Sequence, residues 1–220
     1  MSLKSSIRTI KTLGRGVVVG IPEAAADRDP IELFGEWFEA AQESGLLLPE
    51  SMSLATATAD GMPSVRMVLL KAFDEHGFVF YTNYESRKAK ELEENPRAAL
   101  CFHWNVLERQ VRIEGRVERA SHEESVRYFD TRARGSRIGA WASKQSEPLS
   151  ERKELEERVR HYDAEYPGDE VPLPPFWGGY RVRPERIEFW QGKADRLHER
   201  LVFERDGGTG GAWETTRLYP

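Results

Sequence analysis

The chain of 220 residues is long enough for one large domain, and its 39% apolar and 31% charged residues are typical of a globular protein. A net charge of −5, with lysine and arginine spread along the chain, argues against nucleic acid or an anionic membrane as the main partner. Cys101 is the single cysteine and the five histidines lack metal-ligand spacing, so neither an intrachain disulfide nor a metal site is expected.

An irregular arm and a helix are predicted before the first strands. Residues 1–28 have no clear period and are assigned to an N-terminal arm, and residues 29–220 to a single domain. Asp29 and Pro30 suit the N-cap and first position of a helix with an apolar stripe, and Gly45 suits its end. The next predicted elements are strands at 52–59, 64–73 and 78–83 and a short helix at 86–95.

Short strands dominate the rest of the chain. Asp60-Gly61 is a strong hairpin-turn signal, and Ser121 with Glu124 forms a capping box for a helix through Phe129. Many antiparallel strands with helices between them indicate an α+β fold, mainly β, with a barrel-like core. The remaining predicted elements are strands at 98–104, 108–119, 178–184, 186–192 and 196–205, and a helix at 151–162.

Near the C-terminus, Arg196, His198 and Arg200 occupy alternate positions. In a strand, alternate side chains share a face, so two guanidiniums and an imidazole would lie close together. Like charges at that spacing repel unless an anionic or electron-rich group lies between them. The pattern therefore predicts a face whose positive charge is compensated by a bound ligand and not by the protein.

Two cationic stretches in the first half of the chain are candidates for phosphate binding. Arg66 and Lys71 in RMVLLK either contact a phosphate or extend to water from the ends of an apolar strand. Arg87 and Lys88 begin a helix, where the macrodipole disfavours cations. Free backbone N–H groups and two cations at that end form a phosphate cradle, and tolerated surface cations are an equally good interpretation.

A third candidate is the spacing of Tyr128, Arg132 and Ser136, which recur every four residues. On a continuous helix they would present two hydroxyls and a guanidinium on one side, which suits an anion. Gly135 disfavours a continuous helix there, so the pattern alone is a weak signal.

The chain resembles the pyridoxine/pyridoxamine 5′-phosphate oxidase family in eight stretches, in order from about residue 30 to the C-terminus: RMVLLK, FYTNYESRKA, ENPRAAL, LERQVRIEG, GAWASKQSE, VPLPPFWGGYRV, IEFWQG and RLHER. The resemblance implies an antiparallel split β-barrel homodimer with FMN at the subunit interface. It also implies oxidation of pyridoxamine or pyridoxine 5′-phosphate to pyridoxal 5′-phosphate, with O2 as acceptor and H2O2 as by-product. Neither nucleic acid nor a membrane is expected as a partner. The protein is expected to be cytoplasmic.

The resemblance also implies which residues form the site. Arg196 and His198 are the implied catalytic residues, placed against the substrate ring. The implied FMN contacts are Arg66, Met67, Val68, Leu69, Leu70, Lys71, Tyr81, Thr82, Arg87, Lys88, Gln110, Gln145, Ser146, Trp190 and Arg200. The implied substrate contacts are Lys71, Tyr128, Arg132 and Ser136 for the phosphate, and Arg196, Leu197 and His198 for the ring.

Two alternatives are a related FMN oxidase acting on another aromatic substrate, such as a phenazine precursor, and a non-catalytic flavin or pyridoxal-phosphate binding module. Lys71 and the 128–136 set favour the vitamin B6 enzyme, because a carboxylate substrate would not need a complete phosphate site. Family members carry an arginine and a tyrosine three residues apart in the N-terminal arm, but residues 1–29 contain no tyrosine. Residues 1–25 are therefore expected to be mobile without ligand and to contribute little to turnover.

Overall fold

Nine antiparallel strands form one sheet in the part of the chain that the computed structural model describes, residues 20–205 and 211–220. The main strand order is β2-β1-β5-β6-β7-β4-β3, and β8 pairs with β7 and β9 with β8. The predicted α+β class with an antiparallel sheet is confirmed. The strands are β1 (Ser51–Ala57), β2 (Pro63–Leu69), β3 (Ala72–Asp74), β4 (Gly77–Asn83), β5 (Arg97–Trp104), β6 (Arg109–Arg119), β7 (Trp177–Gln191), β8 (Glu199–Glu204) and β9 (Glu214–Leu218).

The first helix begins and ends as its sequence predicts. The Asp29 carboxylate accepts hydrogen bonds from the backbone N–H groups of Ile31 and Glu32, and Pro30 occupies the first helical position. Gly45, just beyond the end of the helix, has a φ of +81°, which glycine adopts without strain. The helices are α1 (Pro30–Glu43), α2 (Arg87–Glu94), α3 (His122–Asp130), α4 (Arg134–Ala142) and α5 (Arg152–Glu165).

The main core lies between α1 and the sheet. Phe34 of α1 is fully buried, and its ring meets Phe73, Phe78 and Phe102 edge-on at centroid distances of 4.9, 4.9 and 5.1 Å. Edge-to-face aromatic pairs add stabilisation beyond the burial of their apolar area. The apolar stripe that predicts the helix therefore also fixes α1 across β3, β4 and β5.

The predicted strand at 64–73 is wrong, because the chain changes partner strand within it. β2 pairs with β1, whereas β3 pairs with β4. Between them, the N–H of Leu70 donates to Glu50 O and that of Lys71 to Val79 O, both at 2.9 Å. The break at Leu70 and Lys71 therefore takes the chain from β2, at one end of the main strand order, to β3, at the other end.

The two predicted strands at 178–184 and 186–192 are a single strand, β7. Pro184, which lacks an N–H, pairs with Gly115 where the register between β6 and β7 shifts by one residue and leaves Glu185 of β7 as the bulge. A Cβ atom on Gly115 would lie 1.9 Å from Arg183 O, so only glycine permits this close approach. The bulge lets one strand continue where proline would predict a break.

The predicted strand at 196–205 begins only at Glu199. Asp195 and Arg196 have φ values of +56° and +62°, in the left-handed region, and belong to a 3₁₀ turn. Consequently Arg196, His198 and Arg200 do not follow one another along a strand, and the predicted common face is wrong for Arg196.

The described end of the segment predicted to be mobile, residues 20–25, packs against the main core. Ile21 and Ala25 are buried in the main core, and the N–H of Ile21 donates to the Glu199 carboxylate. Residues 1–19 lie outside the described residues. No helix in the described ranges is long and apolar enough to cross a membrane.

Candidate functional site

A cleft of about 540 Å³ opens where β2, β4 and the first turn of α2 approach the α3–α4 segment. Nine of its lining residues are implied FMN contacts, and Tyr128 and Arg132 are implied substrate contacts. The cleft is lined by Arg66, Met67, Val68, Leu69, Lys71, Tyr81, Thr82, Asn83, Lys88, Tyr128, Arg132, Gln145 and Trp177. The structure therefore brings together residues that lie far apart in the sequence.

Lys88 is a buried cation whose hydrogen-bond partners, within the described residues, are neutral oxygens. Its ammonium lies 2.8 Å from Gln145 Oε1, 3.1 Å from Thr82 Oγ1 and 3.4 Å from Ser86 Oγ. Burial and the positive charge of Arg66 lower the pKa of Lys88 to about 8, although Glu91 acts in the opposite direction. A buried cation without a carboxylate in contact is stabilised by an anion, so Lys88 suits a phosphate.

Arg66 also lines the cleft, but a buried carboxylate holds it. Its Nη2 lies 3.1 Å from Glu91 Oε2, and its Nη1 contacts Thr56 Oγ1 and Leu54 O. Burial would raise the pKa of Glu91, but hydrogen bonds from Ser64, Thr56, Arg87 and Arg66 outweigh it and lower that pKa to about 2. Glu91 is therefore ionised at neutral pH and orients Arg66.

Stacked aromatic rings form a wall of the cleft. The ring of Tyr81 lies 4.1 Å from that of Tyr128 and 5.6 Å from that of Trp177, with interplanar angles of 17° and 8°. The Arg132 guanidinium lies over Trp177 at 4.7 Å, and the Lys71 ammonium lies 5.9 Å from the Tyr128 centroid. This arrangement places two cations against aromatic faces.

Arg132 has an unsatisfied donor in this wall. Its Nη1 is buried and has no hydrogen-bond partner within the described part of the chain. Burial lowers the pKa of Arg132, and the group is nevertheless charged at neutral pH because a guanidinium titrates far above 7. A buried cationic donor without an acceptor indicates a site for an anionic ligand.

A second cluster of implied contacts lies across β6, β7 and β8. Gln110 pairs with Trp190, and Trp190 pairs with Arg200, so the three side chains lie on one face in neighbouring strands. We call this the three-strand row. The His198 ring packs beside it, 4.5 Å from the ring of Trp190, and its Nδ1 accepts the N–H of Lys193 at 3.2 Å. In the neutral imidazole, the proton is therefore on Nε2.

The positive charge of Arg200 is compensated by the protein, which corrects the prediction that only ligand would compensate it. Arg200 Nε donates to Glu188 Oε1 at 2.7 Å, and Nη1 donates to Tyr219 O at 3.2 Å. Strand pairing explains the error, because Glu188 on β7 is a diagonal neighbour of Arg200 on β8. Glu188 precedes Arg200 by twelve residues in the sequence, so the alternating pattern of residues 196–200 gives no sign of it.

Several implied residues do not line the cleft of this single chain. Leu70 is buried in the core, and Ser136 is exposed in the first turn of α4. No continuous helix joins Tyr128 to Ser136, as Gly135 indicated, because α3 ends at Asp130 and α4 begins at Arg134. A Cβ atom on Gly135 would face open space among the described residues, so this glycine is not required by packing. The others outside the cleft lining are Arg87, Gln110, Ser146, Trp190, Arg196, Leu197, His198 and Arg200.

Two cleft residues, Asn83 and Trp177, were missed by sequence reasoning. Asn83 follows the implied pair Tyr81 and Thr82 on β4, where only the structure shows that its side chain faces the cleft. Trp177 pairs with Asn83 across β4 and β7. The stretch PPFWGG contains it, but nothing in its spacing indicates a binding role.

Comparison with known proteins establishes the class of this fold and site. A family model described as pyridoxamine 5′-phosphate oxidase matches residues 38–165. A second, described as the pyridoxine 5′-phosphate oxidase C-terminal dimerisation region, matches residues 177–220. The chain belongs to the pyridoxamine 5′-phosphate oxidase family, and the second match supports the predicted homodimer.

Relatives and solved structures agree with this assignment. The chain is 57% identical to the pyridoxine/pyridoxamine 5′-phosphate oxidase of Psychromonas ingrahamii over 220 residues, which is 100% of both chains. It is 60% identical to that of Rubrobacter xylanophilus over 201 residues, 91% of each. The crystal structure of PhzG from Burkholderia lata 383 in complex with tetrahydrophenazine-1-carboxylic acid has a TM-score of 0.86 and 34% identity, covering 93% of this chain and 100% of that one. These similarities confirm the predicted split-barrel fold.

Proposed function

We propose that the chain is an FMN-dependent oxidase that converts pyridoxamine or pyridoxine 5′-phosphate to pyridoxal 5′-phosphate, reducing O2 to H2O2. One observation carries the proposal: a single cleft presents two separate sets of cations. Arg66 and Lys88 form one set, and Lys71 and Arg132 form the other, beside stacked rings. The reaction needs two phosphorylated ligands side by side, and two cationic sets in one cleft suit that requirement.

The residues present fit FMN. The Lys88 ammonium and the first turn of α2 offer a cation and backbone N–H groups to its phosphate. Thr82 and Gln145 offer a hydroxyl and an amide to the same region, since both contact Lys88 and each other. FMN, when bound, supplies the redox chemistry, accepting a hydride equivalent and passing electrons to O2. The protein contributes binding and orientation.

The second set fits the phosphate of the substrate. Arg132 Nη1 is the buried donor without an acceptor, and Lys71 reaches the ring of Tyr128 beside it. We assign Ser136, exposed in the first turn of α4, to the same phosphate. Holding the phosphate at this fixed point would orient the ring of the substrate, which is a proximity effect.

The remaining roles belong to the segment before β8. We assign Arg196, Leu197 and His198 to the substrate ring, with Arg196 and His198 as catalytic residues. The contact from Lys193 N–H to Nδ1 leaves His198 Nε2 as a hydrogen-bond donor toward a polar substituent. Among the described residues, no cluster of acidic, histidine or cysteine side chains could hold a metal ion.

We propose further that FMN lies at the interface of the homodimer. The cleft in one chain lacks the three-strand row, so a partner subunit would have to bring Gln110, Trp190 and Arg200 to it. β2 is an edge strand with exposed apolar side chains, Val65 at 68%, Met67 at 62% and Leu69 at 37%. A contiguous apolar edge beside a cleft suits burial by a second subunit. A cytoplasmic location is part of the same proposal.

A phenazine-precursor oxidase is the second candidate, because the PhzG structure is similar over 93% of this chain. Its 34% identity is well below the 57% and 60% of the pyridoxine/pyridoxamine 5′-phosphate oxidase relatives. Lys71 and Arg132 also favour a phosphorylated substrate, since a carboxylate carries less charge and fewer acceptor oxygens.

The test is purification and assay of the wild-type chain. We expect a yellow dimer with about one FMN per chain, since both cationic sets lie in one cleft per chain. Pyridoxamine 5′-phosphate should drive O2 consumption and peroxide release, and a dihydrophenazine carboxylic acid should not. A monomer that binds FMN tightly would contradict the interface site, and turnover of only the phenazine substrate would favour the second candidate.

A further inference from the structure

Glu188 is a buried carboxylate surrounded by arginines, next to the three-strand row. It lies two residues before Trp190 on β7, so both side chains point to the same face of the sheet. Its Oε1 accepts from Arg200 Nε at 2.7 Å, and its Oε2 accepts from Arg186 at 3.0 Å and Arg112 at 3.4 Å. Only 2% of Glu188 is exposed, which is unusual for a carboxylate on the outer face of a sheet.

The contacts of Arg200 leave one edge of its guanidinium available. Nε is bound to Glu188, and Nη1 donates to the backbone oxygen of Tyr219 at 3.2 Å. Nη2 makes no hydrogen bond within residues 20–205 and 211–220. The side chain is thus held on one edge and can donate from the other.

We propose that Glu188 is a positioning residue for FMN, acting through Arg200. Glu188 fixes the long side chain of Arg200 before the cofactor binds. Nη2 can then donate to the cofactor without the side chain having to be ordered on binding. A side chain ordered in advance loses less conformational entropy on binding, and carboxylates hold cationic ligand contacts in this way in many sites. The inference rests on the proposed function, which assigns Arg200 to FMN.

The electrostatics of Glu188 agree with a permanent charge pair. Burial would raise its pKa, but hydrogen bonds from Arg200 and Arg186 and the positive charges of Arg200 and Arg112 lower it. The hydrogen bond to Glu188 likewise raises the pKa of Arg200. Both groups are therefore ionised at neutral pH, so the contact between Glu188 and Arg200 is an ion pair there.

Glu114 provides a matched control within the same network. Its Oε1 lies 2.6 Å from Arg112 and 3.4 Å from Arg186, so it shares two of the three arginines of Glu188. It makes no contact with Arg200 in the described structure. Removing its charge disturbs the network without releasing Arg200.

The experiment is a double-mutant cycle read by FMN affinity. FMN is titrated into apo-protein, and the change in flavin fluorescence gives Kd for the wild type and for Glu188→Gln, Glu114→Gln, Arg200→Met and Glu188→Gln/Arg200→Met. We expect Glu188→Gln to raise Kd by about tenfold, the scale of one charge-assisted hydrogen bond. Glu114→Gln should change Kd by less than about twofold, and so should Glu188→Gln added to Arg200→Met, because its effect passes through Arg200.

Two results would overturn the inference: Glu188→Gln behaving like Glu114→Gln, or its full effect persisting without Arg200. If Glu188→Gln does not fold, Glu188→Asp keeps the negative charge among the three arginines but draws the carboxylate away from the guanidinium of Arg200. It should raise Kd several-fold, and a wild-type Kd for Glu188→Asp would also overturn the inference. Failure of the proposed function is separate, because it appears in the wild type as absent FMN binding or absent oxidase activity.

Discussion

The cleft and the three-strand row both carry cations, but they differ in what neutralises them. In the cleft, Lys88 contacts only neutral oxygens, and Arg132 has a buried donor without an acceptor among the described residues. In the row, Arg200 is bound to the ionised carboxylate of Glu188. One region holds cations whose burial is not yet compensated, and the other holds a cation already paired.

The difference indicates two uses for a positive charge. A buried cation without a counter-charge is destabilising until an anion arrives, so binding of a phosphate relieves that cost. A cation paired with a carboxylate gains little from a further anion, but its direction is fixed. We infer that the cleft supplies affinity for phosphates and that the row supplies orientation of the rings.

Arg66 is the exception in the cleft, because Glu91 pairs with it. Hydrogen bonds from four side chains hold the pKa of Glu91 at about 2, so its negative charge is fully shared with donors. Arg66 therefore resembles Arg200 more than Lys88. We expect it to orient a ligand more than to attract one.

The largest effect should come from removing the uncompensated cation. Lys88→Met should raise the Kd for FMN by about a hundredfold, because a phosphate loses a buried, charge-assisted contact. The same change should leave the melting temperature of apo-protein unchanged or higher, since a desolvated charge is replaced by an apolar group. Titration of FMN and thermal unfolding of apo-protein measure the two effects.

Lys90→Met is the control for that variant. Lys90 is exposed on the same helix, 3.4 Å from Glu147, and its loss should change neither quantity appreciably. If Lys88→Met destabilises the apo-protein and keeps its FMN affinity, Lys88 has a structural role and the contrast between cleft and row is mistaken.

A somewhat smaller effect is expected at the substrate phosphate. Arg132→Met should raise KM for pyridoxamine 5′-phosphate by about thirtyfold, because Nη1 would no longer meet the phosphate. The Kd for FMN should remain close to that of the wild type. Arg127→Met, which removes an exposed arginine from the same helix region, is the matched control. An equal rise in KM for unphosphorylated pyridoxamine would show that Arg132 stabilises the stacked aromatic rings and does not bind the phosphate.

The third prediction distinguishes the role of Arg196 from that of Arg200. Arg196→Ala should lower turnover by about tenfold and leave FMN affinity unchanged, whereas Arg200→Ala should weaken FMN binding by about tenfold. The reason is structural, because Arg196 lies in a left-handed turn and Arg200 on β8. Steady-state kinetics and FMN titration distinguish them. Equal loss of flavin in both variants would mean that turn and strand face the same ligand.

The sequence predicts the elements of this fold well where local chemistry decides them. The Asp29 N-cap, the Ser121 capping box and the Asp60-Gly61 turn all occur as predicted. Errors arise where a distant strand decides. The break at Leu70 and Lys71 depends on a change of partner from β1 to β4, and the continuity of β7 past Pro184 depends on a bulge at Glu185 in its pairing with β6.

The candidate site shows the same difference between features that local sequence decides and features that distant elements decide. The implied cleft residues assemble because β2, β4 and α2 carry them in short, regular stretches. The pairing of Arg200 with Glu188, and that of Arg66 with Glu91, could not be predicted, since each joins separate elements through side-chain geometry. The prediction of a face compensated by ligand alone fails for this reason.

The smallest expected effect is the pH dependence of FMN affinity. The pKa of Lys88 is about 8 without ligand, lowered from 10.5, and a neighbouring phosphate should raise it. Binding would then take up a proton above pH 8, so affinity should fall as pH rises. A rise of about one unit in that pKa on binding weakens Kd by about fivefold between about pH 7 and pH 9. The phosphate itself is dianionic over this range, because its second pKa is about 6.

The same group should act on stability with the opposite sign. Between about pH 8 and 10.5, the unfolded chain holds a proton on Lys88 that the folded apo-protein has lost. The contribution of Lys88 to the free energy of unfolding therefore rises with pH in that window. FMN titrations and chemical denaturation at several pH values, repeated with Lys88→Met, measure both slopes. If the variant keeps the wild-type slope in FMN affinity, another group titrates on binding. The phosphate of FMN would then not interact with the Lys88 ammonium as we propose.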